Sequence, residues 1–286
     1  MARCEVCFRH CVLTEGETGA CGARICRDNS VVPKYYGQIS SIALDPIEKK
    51  PLAHFFPGSR ILSTGSLGCN LRCPFCQNYE IAQRDRKDRF RAETRQITPE
   101  ELAGIAEKCR SRGNIGVAFT YNEPLVGYEF LRDTARFVQR KGMKNVLVTN
   151  GSVSQKVLEI IAPWTDAMNI DLKGFRDRYY QETLKGSMQM VKDFIREAVK
   201  NCHVELTTLI VPGENDTEEE IRELSAWVAK LQNVYGGKQG REIPLHISRF
   251  FPRYRMTDRP ATDVKKIYRL AETARENLKY VHTGNC

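Results

Sequence analysis

Three cysteines, Cys69, Cys73 and Cys76, fall within eight residues as a C-x3-C-x2-C loop, Leu67-Gly68-Cys69-Asn70-Leu71-Arg72-Cys73-Pro74-Phe75-Cys76-Gln77-Asn78. Thiolates concentrated in this way are soft ligands for iron or zinc. A [4Fe-4S] cube of the ferredoxin type takes four cysteines, so a three-cysteine loop leaves one iron without a protein ligand and open to chemistry. The alternative is a zinc site completed by a distant cysteine or histidine. Gly68 lets the backbone approach a cluster closely, and Phe75 offers a ring face to a nucleobase.

A second group lies upstream. Cys4, Cys7, Cys11 and Cys21 supply four soft ligands in eighteen residues, and Cys26 could replace one of them. Four thiolates suit tetrahedral zinc or a second iron–sulfur cluster equally, and a structural role in holding together a segment too small to fold alone is the simpler expectation. Eight of the eleven cysteines lie within the first 76 residues. That clustering in a long chain favours metal ligation over disulfides. Cys109 and Cys202 read as small buried apolar residues.

The elements that must position these groups follow from the periodicity. From about residue 56, apolar runs alternate with amphipathic stretches, the pattern of βα units around a parallel sheet. Six strands are expected, at Arg60–Ser66, Ile115–Tyr121, Asn145–Thr149, Ala167–Leu172, His203–Ile210 and Pro244–Arg249. Thr98-Pro99-Glu100-Glu101 and Asp216-Thr217-Glu218-Glu219-Glu220 read as helix starts, and a last helix over Asp263–Leu278 precedes a short strand at Tyr280–His282. Six repeats are too few to close an eight-stranded barrel, so the expected fold is α/β, a partial (β/α)6 TIM-like barrel over residues 56–286, with a cysteine-rich extension over residues 1–55. The cysteine loop then follows the first strand, on the face where such barrels build their sites. Polar residues recur at later strand ends: Thr120-Tyr121-Asn122-Glu123-Pro124, Thr149-Asn150-Gly151 and Asp171-Leu172-Lys173.

The C-x3-C-x2-C loop with its aromatic Phe75 resembles the signature of the radical S-adenosylmethionine superfamily, and the Gln77-Asn78 that follows is similar to the pyruvate formate-lyase activating enzyme branch. More narrowly, the N-terminal cysteines, the Asp45-Pro46-Ile47-Glu48-Lys49-Lys50-Pro51-Leu52 run and Cys76-Gln77-Asn78 resemble the radical enzyme of the AmmeMemoRadiSam system. The resemblance spans nearly the whole chain. It implies a [4Fe-4S] cluster on Cys69, Cys73 and Cys76, with S-adenosylmethionine chelated to the open iron and reductively cleaved to a 5′-deoxyadenosyl radical that abstracts hydrogen.

By the same resemblance, Phe75, Asn78, Asn122, Glu123, Thr149, Asp171, Lys173 and His246 are carried over as contacts to S-adenosylmethionine. Tyr121-Asn122 stands where the family has Gly-Gly, which leaves the backbone contact intact and the role of the Glu123 side chain open. His246 belongs to a Pro-x-His, and a lone histidine is otherwise more often structural. The implied partners are an electron donor such as flavodoxin or ferredoxin and the other AmmeMemoRadiSam proteins.

Composition sets the remaining bounds. The 286 residues carry a net charge of +9, and basic stretches occur at Arg84 to Arg95 and, interleaved with aromatics, at Arg249 to Arg255. These admit radical modification of RNA or a zinc-dependent binding module as competing readings. Activation of a glycyl-radical enzyme is a further alternative, set back because the extra cysteines precede the C-x3-C-x2-C loop instead of following it. No run approaches the ~18 apolar residues of a membrane span, and no apolar leader is visible, so a cytoplasmic protein is expected.

Overall fold

A computed structural model describes residues 1–84 and 89–286; part of the first basic stretch, residues 85–88, lies outside the described residues. The main sheet has eight strands: β1 (Ser41–Pro46), β2 (Arg60–Gly65), β3 (Asn114–Phe119), β4 (Lys144–Thr149), β5 (Ala167–Asp171), β6 (His203–Ile210), β7 (Leu245–Arg249) and β8 (Val281–Gly284). They lie side by side in chain order, and among the described residues no further strand pairs with either edge. Strands β2 to β8 are parallel, and β1 runs antiparallel to β2. The fold is thus a partial barrel, and the six expected strands are all present, with ends shifted by at most two residues.

The outer face is covered by helices α1 (Pro99–Lys108), α2 (Tyr128–Arg140), α3 (Gln155–Ile161), α4 (Met188–Asn201), α5 (Glu218–Ala229) and α6 (Val264–Arg275). Helix α1 starts with the capping box its sequence announces: Thr98 accepts from the Glu101 amide while Glu101 reaches back to the Thr98 amide. Thr217 caps α5 by accepting from the Glu220 amide, while the Glu220 carboxyl takes the Phe175 amide instead. Alternating strand residues such as Val204, Leu206 and Ile210 meet Phe194, Ile195 and Ala198 of α4 in the outer core.

The inner face is closed at its lower end, where the parallel strands begin. The turn after β1 carries Ile47 and Leu52 onto Ile61, Ala118, Val146 and Ala167, a separate apolar cluster. Polar bonds fix this plug: Glu205 of β6 accepts from the Ala53 and His54 amides at 2.9 and 2.7 Å, and Asn169 donates to the Pro51 carbonyl at 2.8 Å. The expected boundary at residue 55 therefore falls inside the barrel unit. Residues 41–46 are its edge strand, and Ile47 and Leu52 fill its floor.

The remaining extension packs on the outside as a hairpin of Arg24–Arg27 with Ser30–Pro33 and short flanking segments. The Arg24 guanidinium, almost wholly buried, holds Glu129 of α2 through two bonds of 3.0 and 2.8 Å. The Ser154 amide donates to the Val6 carbonyl at 2.8 Å, joining the first residues to the loop after β4.

Candidate active site at the upper ends of the strands

The cysteine loop leaves the upper end of β2 through Gly68, whose φ of +95° suits glycine. A Cβ there would lie 2.7 Å from the Cys21 carbonyl oxygen and 2.8 Å from the Ala23 Cβ, so the loop is seated directly on the extension. The Cys69 amide donates to that same Cys21 carbonyl at 3.3 Å. Arg72 spans the loop from within, bonding the Ala20 carbonyl and, at 3.0 Å, Gln83.

Cys69, Cys73 and Cys76 line one cleft together with Glu123, Thr149 and the Asp171–Lys173 pair. Burial pushes the Cys73 thiol up to about 12 and raises Cys69 and Cys76 as well. They are therefore thiols at neutral pH until a metal displaces their protons. Among the described residues no three His, Cys, Asp or Glu side chains converge on the position of a single ion. Three soft thiols on one cleft are a donor set that fits an iron–sulfur cluster with one iron left for a non-protein ligand.

The strand ends supply the other wall. Glu123 is buried after β3, and its carboxyl accepts from the Thr149 hydroxyl at 2.7 Å, the Asn150 amide at 2.7 Å and the Leu125 amide at 3.1 Å. Burial nevertheless pushes it up to about 7. Asp171 and Lys173 pair at 2.8 Å. Burial opposes the charge on Lys173, but Asp171 and the neighbouring Cys73 outweigh it and raise its pKa.

Asn122 lines the cleft, but its side chain is engaged with the Ser66 amide and hydroxyl and the Gly68 carbonyl, so it ties β3 to the cysteine loop. Asn78 donates to the Tyr121 carbonyl at 2.7 Å and closes the same corner.

Two expected contacts lie elsewhere. Phe75 is buried against Phe250 in an edge-to-face pair, with centroids 6.2 Å apart, and is absent from the cleft lining. His246 sits near the start of β7, where its ring nitrogen lies 2.7 Å from Glu205 and its ring stacks on His282. His203 also bonds Glu205, and His54 lies 2.9 Å from His282, so four histidines surround the floor of the barrel.

Of the extension cysteines, Cys4, Cys7, Cys11 and Cys21 come together. Burial first, then the nearby Cys21, Cys4 and Cys11, push the Cys7 thiol up to about 12. Cys26 stands apart with its thiol toward Glu15. In the second basic stretch, Arg249 donates to the Thr262 carbonyl and covers Phe251, and Arg253 reaches a groove that adjoins the cleft at Gln77, Asn78 and Tyr121.

The residues sequence reading missed are Asp45, Lys49, Lys50, Tyr121 and Asn150. Tyr121 holds a φ of +72° where glycine would be unstrained, and its hydroxyl donates to Asp45 at 2.8 Å. Lys50 binds the same carboxylate at 2.9 Å and lies over the Tyr121 ring. Asn150 donates to Asn70 at 2.9 Å and, at 3.6 Å, to the Cys69 sulfur. The lysine doublet between Asp45-Pro46 and Pro51 was the signal for the first group.

An open α/β barrel with three thiols at the end of its first parallel strand defines an iron–sulfur enzyme class. The chain belongs to the radical SAM superfamily, whose family model matches residues 64–227. It is an enzyme that uses a [4Fe-4S] cluster and S-adenosylmethionine, and its sequence is similar to the pyruvate formate-lyase activating enzymes.

An uncharacterized protein of Methanocaldococcus jannaschii is 39% identical over 285 residues, covering 99% of this chain and 81% of that one. The pyruvate formate-lyase 1-activating enzyme of Escherichia coli is 29% identical over 184 residues, covering 62% of this chain and 72% of that one. In fold, the chain is similar to Streptococcus suis SuiB bound to S-adenosylmethionine, with a TM-score of 0.59 at 17% identity over 79% of this chain. It spans about half the length of SuiB, 52%. Among the described residues no helix is long and apolar enough to cross a membrane.

Proposed function

We propose that Cys69, Cys73 and Cys76 hold the [4Fe-4S] cluster and that the cleft beside them holds S-adenosylmethionine, from which the enzyme draws hydrogen-abstracting power toward a protein or small-molecule substrate. When bound, the reduced cluster and S-adenosylmethionine together supply the 5′-deoxyadenosyl radical. The observation that carries the assignment is the convergence on one cleft of three thiols, the Glu123–Thr149 pair and the Asp171–Lys173 pair.

Lys173 offers a compact cation to the methionine carboxylate, and Asp171 and Thr149 offer acceptors to ribose hydroxyls. Glu123, poised near neutrality, accepts from the methionine ammonium and gains its charge as it does so. The floor plug excludes water from below. Cys4, Cys7, Cys11 and Cys21, grouped but not converged on one ion's position as they stand, close on a structural metal, zinc or a second cluster, that stiffens the surface on which the loop is seated. An electron donor such as flavodoxin or ferredoxin delivers the reducing electron.

Anaerobic reconstitution tests this. At least roughly four irons per chain and formation of 5′-deoxyadenosine on reduction are expected. Zinc alone, with no cleavage, would sink the assignment. A second reading, activation of a glycyl-radical enzyme, is favoured by the 29% identity to the Escherichia coli activating enzyme. It predicts a glycyl-radical doublet in the electron paramagnetic resonance spectrum of a partner protein after turnover. Partnership with the other AmmeMemoRadiSam proteins rests on the N-terminal cysteines and residues 45–52.

A further inference from the structure

The floor plug does more than close the barrel. It follows β1, and Lys49 and Lys50 line the same cleft as the three cysteines. The two lysines differ in exposure: the Lys50 side chain is 3% exposed and that of Lys49 is 68% exposed. Burying an ammonium is costly unless its donors are used. Lys50 gives one N–H to Asp45 at 2.9 Å and lies over the Tyr121 ring, with Nζ 4.7 Å from the centroid. An ammonium has three donors. Asp45 also accepts from Tyr121, so Lys50 shares its counter-ion, and a donor is left for the cavity it lines.

The position of this pair separates it from the cofactor side. Lys173 and Asp171 lie close enough to Cys73 and Cys76 to influence their ionisation, whereas the electrostatic neighbours of Lys50 are Asp45 and Lys49. The cleft thus has one Lys–Asp pair beside the cysteines and another rising from the floor, with the exposed Lys49 also 3.7 Å from Asp45.

Resting on the reading of the cleft given above, we infer that Lys50 is the anchoring cation for an anionic group, carboxylate or phosphate, on the molecule that gives up the hydrogen atom. Lys49 draws that group toward the cleft, and the Tyr121 ring and Asp45 fix the ammonium. Substrates that carry such an anion are selected over neutral ones.

The test uses the reconstituted protein saturated with S-adenosylmethionine, into which inorganic phosphate and then acetate are titrated calorimetrically. One of the two anions should bind with unit stoichiometry, and the tighter one identifies the group. Lys50→Met should weaken that anion at least tenfold and Lys49→Met about threefold, while Lys50→Arg restores binding to within threefold of the parent. The affinity for S-adenosylmethionine should change less than threefold in all of them.

Should Lys50→Met fail to fold, Asp45→Asn with Lys50→Met removes both charges together, and Lys49→Met leaves the buried pair intact. The inference is overturned if neither anion binds the parent, if Lys50→Met binds it equally well, or if Lys50→Met loses S-adenosylmethionine instead. A parent protein that holds no iron and binds no S-adenosylmethionine would overturn the reading of the cleft, a distinguishable result.

Discussion

The carboxyl of Glu123 and the hydroxyl of Thr149 meet at 2.7 Å across the upper ends of β3 and β4. The same carboxyl takes the Asn150 amide, and Asn150 in turn contacts the Cys69 sulfur. A short chain of bonds therefore connects a buried acid to Cys69, a proposed cluster ligand, so removing a link should disturb cofactor binding and loop position together.

Thr149→Val deprives a buried carboxyl of one donor, at a cost of about 1–3 kcal/mol. S-adenosylmethionine affinity should fall roughly tenfold, read by anaerobic equilibrium binding. Unchanged affinity would assign the pair to the fold alone.

Cys73→Ala removes a proposed cluster ligand and should abolish both the iron–sulfur absorbance and 5′-deoxyadenosine formation. Cys7→Ala should mainly lower soluble yield and the second metal content. A well-folded Cys7→Ala protein without any cleavage would give the extension a part in electron transfer.

Gly68→Ala meets both a positive φ and backbone atoms of the extension. A loss of more than about 1 kcal/mol in stability is expected, with lower iron occupancy after reconstitution. A stable, fully loaded variant would show that the loop can lift off the Cys21 carbonyl.

The His54–His282 contact gives a pH dependence. Burial lowers both pKa values below the usual 6.5, so the unfolded chain takes up protons that the folded chain resists. Stability should therefore fall as pH drops below about 6.5 and level off above it. Differential scanning calorimetry from pH 5.5 to 7.5 checks this, with His54→Gln flattening the slope. An equal slope in that variant would place the titration elsewhere.

Tyr121→Phe loses the hydroxyl that supports both a strained φ and Asp45. A loss of about 1 kcal/mol is expected from one hydrogen bond. Thermal denaturation reads it, and an unchanged midpoint would mean that Lys50 alone holds Asp45.

The barrel was legible because its strands and helices follow period-2 and period-3.6 patterns that need only local sequence, and Thr98 and Thr217 mark helix starts by their own chemistry. The cysteine loop was legible from spacing. His246 and Phe75 were placed by motif, but a motif gives no direction for a side chain, and both are turned away from the cleft by partners from distant segments, Glu205 and Phe250. Lys50 escaped notice for the converse reason. Its place depends on a chain reversal that carries residues 47–55 under the sheet, a tertiary event with no periodicity to announce it. The edge strand β1 was hidden likewise, since Ser41–Pro46 shows no strong alternation.

Closing the floor with Ile47, Leu52 and the Glu205 bonds also staples an open sheet. The plug runs on from the edge strand β1 and is fastened to β6, so prying the barrel wider must first break the bonds from the Ala53 and His54 amides.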